Sequence, residues 1–182
     1  MNFFPAYFSR IASCIESVDL ESLSQVSQKL REVGERGGKV ILVGNGGSAA
    51  MASHVAVDLI KVGGVRAVNF NEADLITCLA NDYGYEHWVE QALEFYADPV
   101  DLVVLISSSG RSSNIVNGAH KANQMKIPVI TFSGFESGNP LRKLGEYNFW
   151  ADSSEYNIVE MTHHVWLVAL VDNLAADKRV GK

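Results

Sequence analysis

Lys39-Val40-Ile41-Leu42-Val43 runs directly into Gly44-Asn45-Gly46-Gly47-Ser48. Further along, Asp101-Leu102-Val103-Val104-Leu105-Ile106 runs directly into Ser107-Ser108-Ser109-Gly110-Arg111-Ser112. Each apolar stretch is unbroken rather than alternating, the pattern of a parallel strand buried on both faces. Each is followed by a Gly/Ser-rich turn and then by a helix-like segment. Turns of this kind lie at the carboxyl ends of the strands, where an open α/β sheet binds its ligand. Helix N-termini there offer free amides to an anion, and serine hydroxyls add donors. Two such turns in one small domain point to a phosphorylated or otherwise anionic small molecule.

Neither turn fits the common nucleotide patterns. The first lacks the Lys-Ser/Thr ending of a P-loop and the spacing of a dinucleotide fingerprint. Glycine for positive φ and serine for capping would explain either turn alone. Capping needs only one hydroxyl, however, whereas Ser107, Ser108, Ser109 and Ser112 crowd into six residues.

The rest of the chain reads as alternating elements. Apolar residues recur at helical spacing from Tyr7 to about Val33, as one long or two consecutive helices stopped by Gly34 and Gly37-Gly38. A helix from about Ser48 to Val62 follows the first strand, then a short strand at Arg66–Phe70 and a short helix at Ala73–Cys78. Asn81-Asp82-Tyr83-Gly84 reads as a turn, and Glu86–Tyr96 as an amphipathic helix. After the second Gly/Ser-rich turn come a helix at Ser112–Met125 and a strand at Ile127–Phe132. They are followed by a Gly-rich loop, a short helix at Pro140–Leu144 and an edge-like strand at Tyr147–Ala151. A mostly apolar helix at Tyr156–Asp177 closes the chain. These lengths give βαβ units and a parallel sheet in one α/β domain. The helical segment 1–36 stands before the α/β core 37–182, and with the closing helix it supplies an expected oligomer interface.

The 182 residues suffice for one domain with a good core. Net charge is −6 and the 15 basic residues are scattered, so no stripe exists to track a nucleic-acid backbone. No apolar run reaches the length of a membrane span, and the amino end lacks the pattern of a signal peptide. Cys14 and Cys78 read as reduced thiols, and the expected compartment is the cytoplasm.

Gly44-Asn45-Gly46-Gly47-Ser48-Ala49-Ala50 with His54 on the following helix, Leu79-Ala80-Asn81-Asp82-Tyr83-Gly84-Tyr85-Glu86, Ile106 through Asn114, and a final helix with Glu160 occur in order. Together they resemble the sugar isomerase (SIS) domain, and within it the phosphoheptose isomerases. The resemblance implies a flavodoxin-like three-layer sandwich with a five-stranded parallel sheet and helices on both faces. It also implies a tetramer with sites between subunits, and a sugar phosphate as ligand. It assigns phosphate binding to Ser107, Ser108, Ser109 and Ser112. Asn45, Gly46, Gly47 and Ser48 would border the sugar, and Asn81 and Asp82 would hold its hydroxyls.

The chain departs from that family in its metal-ligand positions and in lacking the basic, Pro-containing loop after the helix, where Val62-Gly63-Gly64-Val65 runs directly to the next strand. A helical His-x-x-x-Glu motif becomes His54 and Asp58, which share a helix face one turn apart. The family's Gln and His on the final helix correspond to Val159 and Leu167, which cannot ligate a metal. The usual zinc site is therefore expected to be incomplete, with His54 and Asp58 as any residual pair and no cofactor required. One reading is an aldose–ketose isomerase with Glu160 as enolising base and His54, Asp58 and His164 as the second acid/base group. The alternative is a non-catalytic phosphosugar-binding or regulatory protein of the kind that associates with a replication initiator. His163 and His164 are adjacent, so at most one faces a site.

Overall fold

The computed structural model describes residues 2–180, with side chains described through residue 176. Two helices open the chain, α1 (Phe3–Glu16) and α2 (Leu20–Glu35), separated by a short turn. The Asp19 carboxylate caps α2 by accepting from the amides of Glu21 and Ser22. The core then runs β1 (Val40–Gly44), α3 (Gly47–Asp58), β2 (Ala67–Asn69), α4 (Ala73–Tyr83), α5 (Trp88–Tyr96) and β3 (Leu102–Ser107). It ends with α6 (Ser113–Gln124), β4 (Val129–Ser133), β5 (Tyr147–Trp150) and α7 (Tyr156–Val180).

The five strands form one parallel sheet in the order β2-β1-β3-β4-β5. This is the flavodoxin-like order, and its switch point lies between β1 and β3. The register sets Gly44 beside Ile106 and Ser107 beside Ser133, so both Gly/Ser-rich turns leave the sheet side by side.

Strand alternation divides the core. Val40, Leu42 and Leu102 face one cluster, with α2, α3 and α7 packed over them. Ile41, Val43 and Leu105 face the other, covered by α5 and α6. The N-terminal helices lie on α7 of the same chain: the Trp166 indole donates to the Ile15 carbonyl (2.9 Å) and Ser27 bonds Asn173 (2.5 Å). The outer face of α1 stays exposed at Phe3, Phe4 and Phe8. At the amino end of the sheet, buried Asp101 accepts from the Lys39 amide (2.9 Å) and ammonium (2.6 Å) and ties β1 to β3.

Two boundaries differ from the sequence reading. The helix after the first turn does not run uniformly to Val62, because Leu59–Gly63 winds as a π-turn ended by left-handed Gly64. The polar run Asn81-Asp82-Tyr83-Gly84 is not a separate turn. It is the last turn of α4, and only Gly84, at φ 91°, leaves the helix.

Candidate functional site

The first Gly-rich turn bends sharply because Gly46, the N-cap of α3, adopts φ 53°. The Asn45 amide reaches across the switch point to the start of α6. Its Nδ2 donates to Asn114 Oδ1 (3.0 Å), and Asn114 Nδ2 donates back to Asn45 Oδ1 (2.9 Å). The Tyr85 hydroxyl also donates to Asn45 Oδ1 (3.2 Å). Asn114 is buried, so this reciprocal pair clamps the two turns at a fixed separation. Asn45 therefore spends most of its hydrogen-bonding capacity on the scaffold. Ser48, one residue into α3, is buried beneath the turn.

The hydroxyls of the serine turn do little to cap its helix. Ser112 occupies the N-cap position of α6, yet its side chain makes no cap bond. It pairs instead with the Ser107 hydroxyl (3.0 Å). Ser109 accepts from the Arg111 amide (3.2 Å). The Ser108 hydroxyl is buried without a partner, an orphan donor of the sort that a bound anion satisfies. Gly110, at φ 64°, closes the turn against Asn139, leaving no room for a side chain. Buried Asn139 in turn donates to the Ser133 hydroxyl (3.1 Å) and the Gly134 carbonyl (3.2 Å). The turn's one cation, Arg111, pairs with Glu136.

Helix α7 passes both turns. Val159 fills the space over Gly134, whose amide donates to the Ser108 carbonyl (2.8 Å). Glu160 lies over Gly47, and a Cβ on that glycine would overlap its carboxylate. Glu160 stands in an otherwise apolar stretch of α7, where a buried carboxylate would be costly unless paired or used. The side chain is instead half-buried at the N-terminus of α3, where the helix dipole favours a carboxylate.

The two adjacent histidines diverge as their spacing requires. His163 is fully buried and its Nε2 bonds the Ser133 carbonyl (2.9 Å); burial depresses its pKa to about 4. His164 turns toward α3, where its Nε2 meets His54 Nδ1 at 2.8 Å. Burial, and then repulsion from His54, hold His164 below the usual imidazole range, with Asp58 opposing. The other His54 nitrogen, Nε2, faces Asp58 at 3.1 Å.

The structure thus brings together Asn45, Gly46, Gly47, Ser48, the serines and Glu160 around the switch point. His54, Asp58 and His164 line up along the α3–α7 contact. Asn81 and Asp82 are exposed; Asn81 donates to Asp82 (2.9 Å) and Asp82 accepts from Cys78, and these side-chain bonds run within α4 rather than to either turn. Asn114, Tyr85 and Asn139 were not anticipated, since their roles arise from contacts distant in the chain.

The donor set does not fit the zinc site that the resemblance implies. Val159 and Leu167 are buried in the apolar core, at 0% and 3% exposure. Asp58 and His164 approach opposite nitrogens of His54, so the three do not converge. Among the described residues, no cluster of three or more His, Cys, Asp or Glu is placed to hold a metal ion. No helix among them is long and apolar enough to cross a membrane.

Known proteins share this sequence family and fold. The SIS domain family profile matches residues 4–134. The probable phosphoheptose isomerase of Thermoplasma volcanium is 33% identical over 154 residues, covering 81% of this chain and 78% of that protein. The solved phosphoheptose isomerase of Francisella tularensis superposes with a TM-score of 0.86 at 22% identity, over 95% of this chain and 96% of that one. The Neisseria gonorrhoeae phosphoheptose isomerase gives 0.84 at 24% identity, over 93% and 96%. These two structures share the fold.

Proposed function

The chain belongs to the SIS domain family, in its phosphoheptose isomerase branch, and from that membership we propose that it interconverts an aldose and a ketose phosphate. Sedoheptulose 7-phosphate is the foremost substrate, because the relatives at this level of identity carry the name phosphoheptose isomerase. The observation that carries the reading is the Glu160 carboxylate over Gly47, between a glycine turn and a serine turn that holds an orphan hydroxyl.

In this reading the phosphate sits in the serine turn. The hydroxyls of Ser107, Ser108, Ser109 and Ser112 and the first amides of α6 donate to its oxygens. The sugar extends across the first turn. Glu160 takes the proton from C1 of the ketose, leaving an enediol, and returns it to C2 to give the aldose. A second group moves a proton between O1 and O2, and His164, backed by His54 and Asp58, stands one helical turn below Glu160. No metal is required for these steps, and we assign none. Asn81 and Asp82 would meet the sugar hydroxyls only if α4 or the sugar reached the other. Exposed Val57, Ile60, Met161 and Val165 flank this face, which suits coverage by a second subunit in a tetramer. The protein is assigned to the cytoplasm, consistent with two free cysteines.

The test is proton NMR of the protein with a panel of sugar phosphates in D₂O. Deuterium at C2 of the aldose, abolished in Glu160→Gln without loss of binding, is the expected result. Saturable binding with no exchange for any sugar would reject catalysis in favour of a phosphosugar-binding protein.

A further inference from the structure

We infer that Asp58, His54 and His164 form an ordered proton relay that presents a bare His164 Nδ1 to the substrate oxygens, in the place where a metal would otherwise act. The inference rests on the isomerase reading for its role; its proton order follows from two contacts, with Asp58 as the carboxylate and His54 as the neutral ring.

Asp58 Oδ2 lies 3.1 Å from His54 Nε2, and His54 Nδ1 lies 2.8 Å from His164 Nε2. The two rings stand nearly perpendicular, at 88°. An ionised carboxylate only accepts, so His54 Nε2 carries the hydrogen. In neutral His54 the other nitrogen, Nδ1, is then bare and must accept. The hydrogen in the second bond therefore belongs to His164 Nε2. That leaves His164 Nδ1 without a proton and free to take one. Each assignment forces the next, and Asp58 at the end of the chain sets the order.

The same chain runs in reverse without rearranging heavy atoms. When His164 Nδ1 accepts a proton from a sugar hydroxyl, its Nε2 proton passes to His54 Nδ1. His54 becomes an imidazolium held against the Asp58 carboxylate, and His164 returns to a neutral ring. Donation to the neighbouring sugar oxygen reverses both transfers. Protons balance over the cycle, and no oxidant, reductant or metal takes part. A group that must both take and give a proton between two adjacent oxygens gains from such a reservoir. His164 and Glu160, four residues apart on α7, share a helix face. The carbon proton and the oxygen proton are thereby handled by groups one turn apart.

The relay also accounts for Asp58. Its carboxylate meets the His54 ring at Nε2, 3.1 Å away. Asp58 and His54 are positioning residues here, and His164 is the group that would meet the substrate.

The proton order can be read without turnover, on chelator-treated protein labelled with ¹⁵N-histidine. Long-range ¹H–¹⁵N correlation at neutral pH should show both His54 and His164 as Nε2–H tautomers with Nδ1 bare; His54→Gln and His164→Gln give the assignments. Asp58→Asn should release this order, so that His54 and His164 populate both tautomers. His163, locked on the Ser133 carbonyl, should not change and serves as an internal control. Asp58→Asn should also lower kcat about 10-fold to 100-fold at nearly constant KM, less than the about 10²–10⁴-fold a lost acid or base itself costs, because Asp58 acts through the histidines. An Nδ1–H tautomer at His164 would overturn the relay. So would equimolar zinc that shifts both His54 and His164 nitrogens as ligands. Absence of deuterium exchange with every sugar would overturn the isomerase reading, while the tautomer spectra would still decide the proton order.

Discussion

Gly47→Ala separates the position of Glu160 from the stability of the fold. Gly47 opens α3 and lies outside the positive-φ region, so its backbone accepts alanine. Alanine there lowers the entropy of the unfolded chain and stabilises by about 0.4–1 kcal/mol. The added methyl, however, occupies the place of the Glu160 carboxylate. That carboxylate is the free end of a flexible side chain, so it moves aside at little energetic cost, by about the 1 Å or more that the overlap demands. Misplacement of a reacting group by about 1 Å costs about 100-fold in rate, or about 2.7 kcal/mol of transition-state stabilisation. The serine turn is untouched, so affinity for inorganic phosphate should stay within about 2-fold. Scanning calorimetry should show a Tm unchanged or raised by about 1–4 °C. Deuterium exchange in D₂O should fall about 100-fold. Full turnover in the variant would refute the placement of the catalytic carboxylate. A clear fall in Tm would refute the claim that Glu160 meets Gly47 only as a flexible group.

Ser108→Ala removes a buried hydroxyl that has no partner in the protein, so Tm should hold or rise slightly, while affinity for inorganic phosphate or a sugar phosphate, measured calorimetrically, falls about 10-fold. Asp101→Ala, at the far end of the sheet, strips the mostly buried Lys39 of its closest partner and should cost about 3 kcal/mol by urea unfolding, with turnover per folded molecule unchanged. His163, with a folded pKa of about 4 against about 6.5 unfolded, makes the unfolded chain the better proton binder between those values, so stability is full above about pH 6.5 and falls by about 3 kcal/mol as pH drops toward 4. In urea titrations that fall should be absent from His163→Gln, and a fall of equal size in the variant would place its cause elsewhere.

The strand-to-turn-to-helix units were legible because each is written locally. Unbroken apolar runs end in residues that only turns favour, and the run lengths separate strand from helix. The serines stood out as a candidate ligand site because their number exceeds what capping needs, and in the structure Ser112 makes no side-chain cap bond and the Ser108 hydroxyl is unpaired. The misread segment, Asn81–Gly84, has the composition of a turn, but local contacts hold it in α4. Cys78 reaches Asp82 one turn on, and Gly84 alone bears the break. Composition cannot tell a polar last helical turn from a loop, because both need the same solvent-facing residues. The clamp between Asn45 and Asn114 was out of reach for a different reason. It depends on β1 and β3 being neighbours, and strand order is a property of the whole sheet. The histidine pair shows the same limit more sharply. The spacing of His54 and Asp58 placed them on one face, and the adjacency of His163 and His164 required one to turn away. Which of them meets His54 was decided only when α7 docked on α3, with Val159 and Leu167 drawn into the core and Glu160 and His164 left facing outward. Val159 and Leu167, at the positions where the resemblance implies metal ligands, are thus also residues that seat α7.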